Sequence, residues 1–386
     1  MSRLEVPQGS FALTREPVRP KDPLRPWDAA DELVLQHIDA LDGDGGSILI
    51  VNDAHGALSV ALAARRPTTL TDSYVSVRAI RRNLAANDLS ADAVTIVDPL
   101  AALPRHPDLV VLRVPKSLSM LEFELRRLAR VVGPDTVVVG AAMAKHIHTS
   151  TLEAFDRILG PTTTSLATRK ARLIHCQPSA EREPEPEEWP RRYTVEPGPI
   201  TVVNQPSGFS PTRLDAGTAL FLEHLPEVGD GDTVIDLGCG NGIVGTVVAL
   251  DSPGADITFI DESFLAVDSA RATYLANTGA AVEDAGGEAR FVVGDGIAHL
   301  AEDPPIPNAS VDLILNNPPF HADNALGDAT AWQMFSESRS ALRPGGELWV
   351  VGNRHLAYHA KLKRLFGNCD VVGSDPKFVV YRAVRR

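Results

Sequence analysis

Thr233-Val-Ile-Asp-Leu-Gly-Cys-Gly-Asn-Gly242 reads as a buried strand running into a glycine-rich turn, and Ile243 to Leu250 continues it as an apolar helix. Ile257-Thr-Phe-Ile-Asp261 is a second strand ending in a carboxylate. Phe264 to Asn277 has helical spacing, and Arg290-Phe-Val-Val-Gly-Asp295 is a third strand, again ending in an acid. Val311-Asp-Leu-Ile-Leu315 is a fourth strand, followed by Asn316-Asn-Pro-Pro-Phe320. Trp332 to Leu342 is expected to be helical and to be stopped by Gly345-Gly346, with Glu347 to Val351 as a fifth strand. Strands alternating with helices at this spacing predict an α/β fold with a doubly wound parallel sheet.

The first half repeats the rhythm. Ser47 to Asp53 is a strand into a turn, Gly56 to Ala64 is helical, and Thr68 to Asp72 matches the second strand. Ser73 to Asn87 matches the helix that ends at Asn277, while Leu109 to Val114 and Thr136 to Gly140 match the fourth and fifth strands. We read an internal duplication. The copies differ where chemistry would sit. Asn52-Asp-Ala-His-Gly56 stands for Asp236 to Gly242, and Arg113-Val-Pro-Lys116 for Asn317 to Phe320. The expected organisation is a degenerate copy over 1–176, a Pro/Glu-rich linker over 177–190, and a catalytic domain over 191–386. Arg191 to Val203 is expected to pair as a short hairpin.

Composition limits the function classes. The 386 residues are 44% hydrophobic and 23% charged, which fits a globular chain and not a disordered or collagen-like one. No apolar run is long enough to span a bilayer, and the first twenty residues carry no apolar core of a secretory signal. A cytoplasmic protein is expected. Three distant cysteines, Cys176, Cys239 and Cys369, offer neither metal-ligand spacing nor a disulfide framework, so no metal is expected. The net charge of −13 disfavours nonspecific nucleic-acid binding, but residues 354–386 carry eight basic and two acidic side chains.

The glycine turn follows a strand and opens a helix, and Asp261 lies where nucleotide-binding units place an acid for ribose hydroxyls. Dinucleotide sites prefer Gly-x-Gly-x-x-Gly and a helix N-terminus free of an upstream carboxylate. Here Asp236 stands at the turn, and an acid suits the ammonium and sulfonium of S-adenosylmethionine. Asp295 could take the adenine amino group, although alone it also fits a helix cap. The cofactor residues are therefore read as Asp236, Gly238, Gly240, Asn241, Gly242, Asp261 and Asp295.

Asn316-Asn-Pro-Pro-Phe320 falls at the C-terminal end of the fourth strand, where open α/β sheets bind ligands. An exocyclic amine with a delocalised lone pair is a poor nucleophile. The Asn317 side-chain oxygen and the Pro318 carbonyl can accept its N–H bonds, orienting the lone pair and stabilising the charge that develops. Pro318 and Pro319 fix the backbone, and Phe320 can stack on a planar substrate. Such acceptors suit adenine N6, guanine N2, cytosine N4 and glutamine amides alike. A base inside a duplex would have to flip out.

The combination resembles a known family. Asn317-Pro-Pro-Phe-His321, Asp328, Ala331-Trp332, Asn353-Arg-His-Leu356 and Lys377-Phe-Val-Val380 look like the bacterial ribosomal RNA guanine-N2 methyltransferases with two tandem methyltransferase-like domains. Trp27-Asp-Ala-Ala-Asp-Glu32, His148-Thr-Ser-Thr-Leu152 and Leu159-Gly-Pro-Thr-Thr-Thr164 resemble the large-subunit methyltransferase G branch. The resemblance implies two Rossmann-like class I methyltransferase domains, the N-terminal one degenerate and assisting RNA binding or folding as a scaffold. It implies methyl transfer from S-adenosylmethionine to guanine N2 in 23S rRNA, with 16S rRNA as the near alternative. The family often shows Phe-Ser-Arg where this chain has Phe209-Ser-Pro211, with Arg213 two positions later. A release-factor glutamine methyltransferase would usually carry Tyr at Phe320, and an RNA-binding assembly factor would not need intact glycines. A monomer without membrane or metal partners is expected.

Arg354, His355, His359, Lys361, Lys363 and Arg364 could grip phosphates, or simply solvate a helix. Arg78, Arg81 and Arg82, and Arg126, Arg127 and Arg130, are further candidate RNA faces or solvated surface. Cys239 reads as a small packing residue.

Overall fold

The structure is a computed structural model that describes residues 1–18, 24–41, 46–179, 186, 188–195, 198–206, 213–279, 286–319 and 324–386. The chain divides into two compact units, Met1–Glu188 and Trp189–Arg386. Half of the Pro/Glu-rich stretch, 180–185 and 187, lies outside the described residues, as does Phe209-Ser-Pro211.

The first unit begins with a hairpin, β1 (Ser2–Val6) and β2 (Gly9–Leu13), then α1 (Ala29–Ala40), β3 (Ile48–Val51), α2 (Ala57–Ala61), β4 (Thr68–Leu70) and α3 (Tyr74–Ala85). It continues with β5 (Thr95–Val97), β6 (Leu109–Arg113), α4 (Leu118–Ala129), β7 (Val137–Met143), α5 (Thr149–Ile158), β8 (Thr162–Thr164) and β9 (Ala171–Cys176). Its sheet runs β5-β4-β3-β6-β7-β9-β8. The first five strands are parallel and β9 is antiparallel to both its neighbours. All four residues of β3 are buried, as expected for a central parallel strand covered on both faces.

The second unit opens with the expected hairpin, β10 (Arg191–Val195) and β11 (Ile200–Asn204). Then come α6 (Ala216–Leu222), β12 (Thr233–Leu237), α7 (Ile243–Asp251), β13 (Asp256–Asp261), α8 (Phe264–Asn277), β14 (Ala289–Val293) and β15 (Val311–Asn316). It closes with α9 (Asn324–Ala341), β16 (Leu342–Asn353), α10 (Tyr358–Phe366), β17 (Asp370–Ser374) and β18 (Phe378–Val384). The sheet order, β14-β13-β12-β15-β16-β18-β17, is that of the first unit strand for strand. Neighbouring residues of one strand feed opposite cores. Val234 packs with Phe221, Phe259 and Val351, whereas Ile235 packs with Ile260, Ile314 and Phe335.

The sheets also align residue by residue. The N–H of Asn52 donates to the Leu70 carbonyl as that of Gly238 donates to Ile260. Both residues are left-handed, with φ 67° and 72°. Gly56 and Gly242 are the left-handed caps of α2 and α7, with φ 83° and 72°. The five residues Asn52–Gly56 therefore match Gly238–Gly242, a closer fit than matching them to the whole of Asp236–Gly242. Strand pairing then sets Ile50 at the place of Asp236, Thr71 at that of Asp261, and Arg113 at that of Asn317.

Three local expectations are corrected. Gly345 and Gly346 do not stop a helix: α9 ends at Ala341 and both glycines lie inside β16. The pairing register of β15 with β16 jumps there, from Val311↔Leu342 to Leu313↔Glu347. A Cβ on Gly346 would stand 2.9 Å from the Val311 oxygen, so the glycines serve a bulge. Asp295 lies beyond its strand, which ends at Val293. Arg126 is neither an RNA face nor solvated surface: it is 2% exposed and pairs with Glu188 at 3.0 Å.

Glu124 on α4 is buried and accepts from Asn52 Nδ2 at 2.8 Å. Burial pushes its carboxyl up to about 8, against the Asn52 bond. The unfolded carboxyl releases its proton near 4.5, so between those values the folded chain binds the extra proton and stability falls as pH rises. Glu124→Gln keeps an acceptor for Asn52 and removes the titration. Its melting temperature should match the wild type at pH 5 and exceed it at pH 9, by ~2–4 °C for each kcal/mol recovered. Parallel melting curves for the two proteins across that range would sink the assignment.

Candidate active site

The C-terminal ends of β12, β13 and β15 and the segment after β14 open into a cavity of about 330 Å³, within the range of small-ligand pockets. Its lining includes Asp236, Gly238, Gly240 and Asn241 from the first strand and its turn. It also includes Asp261, Asp295, Asn317 and Pro319. Gly242 does not line it. A Cβ there would stand 2.6 Å from Ala270 Cβ, so this glycine lets α7 and α8 approach. Pro318 is buried beside the lining, and Phe320 lies outside the described residues.

The turn is held by carboxylates. Asp236 is 3% exposed, and its Oδ2 accepts from Gly245 N–H at 2.9 Å in the first turn of α7. Burial, with the neighbouring Asp261 charge, raises its carboxyl to about 7. Asp261 accepts from Gly240 N–H through Oδ2 and from Ser263 N–H through Oδ1, both at 3.0 Å. Burial raises it too, opposed by those backbone bonds. A buried and a half-buried acid close together favour a positively charged ligand group. They also hold the buried Cys239 thiol in its neutral form, since burial and both charges push it up, in keeping with a packing role.

Asn317 follows β15 directly. Its Nδ2 donates to Thr218 Oγ1 at 3.0 Å, while its Oδ1 is buried with no hydrogen-bond partner among the described residues. A buried acceptor left unmade costs about 1–3 kcal/mol, so it points to a ligand donor. Asn204 presents the complement. Its Oδ1 accepts from Asn241 Nδ2 at 3.1 Å, and its buried Nδ2 has no such partner. The cavity thus offers acids for a cation, a free amide donor for a carboxylate, and a free amide acceptor for an amine. These features fit S-adenosylmethionine together with an amine-bearing substrate.

Tyr193, Asn204 and Thr218 were missed from sequence. Tyr193 and Asn204 lie on the β10–β11 hairpin, whose contact with the turn is long-range. Thr218 had one local signal, the Asp215-x-x-Thr218 spacing of a helix cap. Among the described residues no group of three or more His, Cys, Asp and Glu is arranged to hold a metal ion, and no helix is long and apolar enough to cross a membrane.

A separate open groove is lined by Asp328, Trp332, His355, Lys361 and Arg364. The Arg364 guanidinium lies 5.0 Å from the Trp332 ring centre, and Lys361 pairs with Asp328. In the first unit, Arg82 pairs with Glu16, while Arg81 is exposed.

Residues 1–180 match the RLMG N-terminal domain family, and residues 199–382 match the methyltransferase small domain family. A ribosomal RNA large subunit methyltransferase G of Streptomyces avermitilis is 50% identical over 99% of this chain and 99% of its own. One of Yersinia enterocolitica is 43% identical over 100% of this chain and 95% of its own. Among solved structures, the T. thermophilus 16S rRNA N2 G1207 methyltransferase, determined with AdoMet and guanosine, superposes with a TM-score of 0.77. It covers 100% of this chain and 98% of its own at 22% identity, a likeness of fold. Both units are accordingly class I methyltransferase-like α/β folds.

Proposed function

The chain belongs to the ribosomal RNA large subunit methyltransferase G family, and we propose that Asn317 is the residue that holds the substrate amine of its reaction. The enzyme methylates the exocyclic N2 amine of a guanine in 23S rRNA, using S-adenosylmethionine. The observation that carries the site assignment is the buried, partnerless Asn317 Oδ1 at the cavity.

Asp261 and the turn from Gly238 to Asn241 would hold the nucleoside part of the cofactor, with Asp295 at the adenine. Asp236 would face its cationic end and Asn204 Nδ2 its carboxylate. When bound, the cofactor supplies a methyl group activated on a sulfonium. Asn317 Oδ1 accepts one N2–H bond and the Pro318 carbonyl the other. These two acceptors turn the lone pair out of conjugation and stabilise positive charge building on nitrogen. Phe320 would stack on the guanine. Pro319, next to the acceptors, stiffens the loop that carries them.

The Trp332–Arg364 groove supports a role in gripping RNA, because it pairs an aromatic face with cationic side chains. The N-terminal unit acts in RNA binding and not in methyl transfer. Ile50, Thr71 and Arg113 at the places of Asp236, Asp261 and Asn317 support that reading. Work on ribosomal RNA supports a cytoplasmic location.

Transfer of labelled methyl to naked 23S rRNA, naked 16S rRNA and each intact subunit tests the activity. Label on 23S material alone, at N2 of one guanine, is expected. Label on 16S material would move the chain to the small-subunit activity, and no label on any of the four would leave an assembly factor.

A further inference from the structure

We infer that Thr218, set by Asp215, decides which end of the Asn317 amide faces the cavity, and so acts as a positioning residue for the methyl transfer. The inference rests on the role given to Asn317 above.

Asp215 caps α6, and its Oδ2 accepts from Thr218 N–H at 3.0 Å and from the Thr218 hydroxyl at 3.4 Å. A hydroxyl has one proton. With that proton directed to the Asp215 carboxylate, Thr218 Oγ1 presents only lone pairs to its other neighbour. That neighbour is Asn317 Nδ2, at 3.0 Å. The acceptor selects the NH₂ end of the amide, so Oδ1 is the end left over, buried and free for a substrate N–H. Turning the amide over would set oxygen against oxygen at Thr218 and offer the substrate amine a donor in place of an acceptor. Thr218 is 7% exposed, so water is largely excluded from substituting for it. Gly217 keeps the cap compact, since a Cβ there would stand 3.0 Å from Asp215 Oδ2 and 3.0 Å from Phe378 Cε1.

The N-terminal unit carries the same link with its polarity changed. Asp28 caps α1, and Asp31 stands three residues on, as Thr218 does after Asp215. These two acids bind Arg113, at 2.9 and 3.1 Å, and Arg113 stands at the place of Asn317. In both copies the first turn of this helix grips the residue at the end of the same strand. Only the second copy grips it through a neutral acceptor that leaves a carbonyl unspent.

Thr218→Val keeps the shape and removes the acceptor, whereas Thr218→Ser keeps the hydroxyl. In methyl transfer to 23S rRNA, the valine variant should lose about 10–100-fold in kcat, by analogy with the loss of a preorganised polar contact. KM for RNA and Kd for S-adenosylmethionine should stay near wild type, and the serine variant should retain most of the activity. Against an Asn317→Ala background, Thr218→Val should cost nothing further. Wild-type kcat in the valine variant, or an equal loss on top of Asn317→Ala, overturns the inference. If the valine variant melts below the assay temperature, Thr218→Ala takes its place in the same cycle. An active Asn317→Ala enzyme would instead remove the role of Asn317 itself, so the two failures are distinguishable.

Discussion

Asn317→Ala should lower methyl transfer to 23S rRNA by about 10²–10³, by analogy with removing one preorganised polar contact at a reacting centre, and leave S-adenosylmethionine binding unchanged. Alanine removes the buried Oδ1 that has no other partner among the described residues. It also frees Thr218 Oγ1, but touches none of the bonds that shape the glycine turn, which the N–H groups of Gly245 and Gly240 donate to Asp236 and Asp261. Cofactor titration beside single-turnover rates would separate the two effects. A variant that turns over at the wild-type rate would remove Asn317 from the chemistry. One that fails to bind the cofactor would show that Asn317 builds the pocket instead.

Gly242→Ala should give a large loss of stability. Gly242 has φ 72°, a conformation that costs an L side chain about 1–2 kcal/mol. Its added Cβ would also lie 2.6 Å from Ala270 Cβ and 2.7 Å from Ala270 Cα, so α7 and α8 must part. Overpacking of that kind typically costs about 1–3 kcal/mol more. The sum is a large share of an ordinary folding free energy of about 5–15 kcal/mol. A fall of roughly 10 °C in melting temperature is expected at ~2–4 °C per kcal/mol. Gly240→Ala is the control, because it has φ 54° but a Cβ there would meet nothing within 4 Å. Equal melting temperatures for the two variants would contradict the packing argument.

The periodic parts of the fold were legible in the sequence. Helix α8 runs from Phe264 to Asn277 as read, because Ser263 caps it and its apolar spacing is local. The duplication was legible for the same reason. What failed depended on neighbours distant in sequence. Gly345-Gly346 looked like a helix stop, since nothing local reveals that a register jump against β15 needs two small residues. Arg126 looked like surface because Glu188, the nearer in space of its two ion-pair partners among the described residues, is 62 residues away. Asp236, Asp261 and the Asn-Pro-Pro segment could be named from sequence because each lies at the end of a strand that leads to the cavity. Thr218 could not be, because its bond to Asn317 spans 99 residues.

The clamp on Arg113 bears on how the duplicated half can evolve. Burial raises the Asp31 carboxyl to about 6 even with the Arg113 charge pulling it down. Reverting Arg113 alone to asparagine would strand Asp28 and Asp31 beside each other with no cation. Reverting the acids alone would leave the largely covered Arg113 without its counter-ions. Restoring a cofactor site would further require acids at Ile50 and Thr71, both now closed into the core. Each single step back crosses a less stable intermediate, so on the reading that the first copy does not catalyse, its departure from the second works as a ratchet.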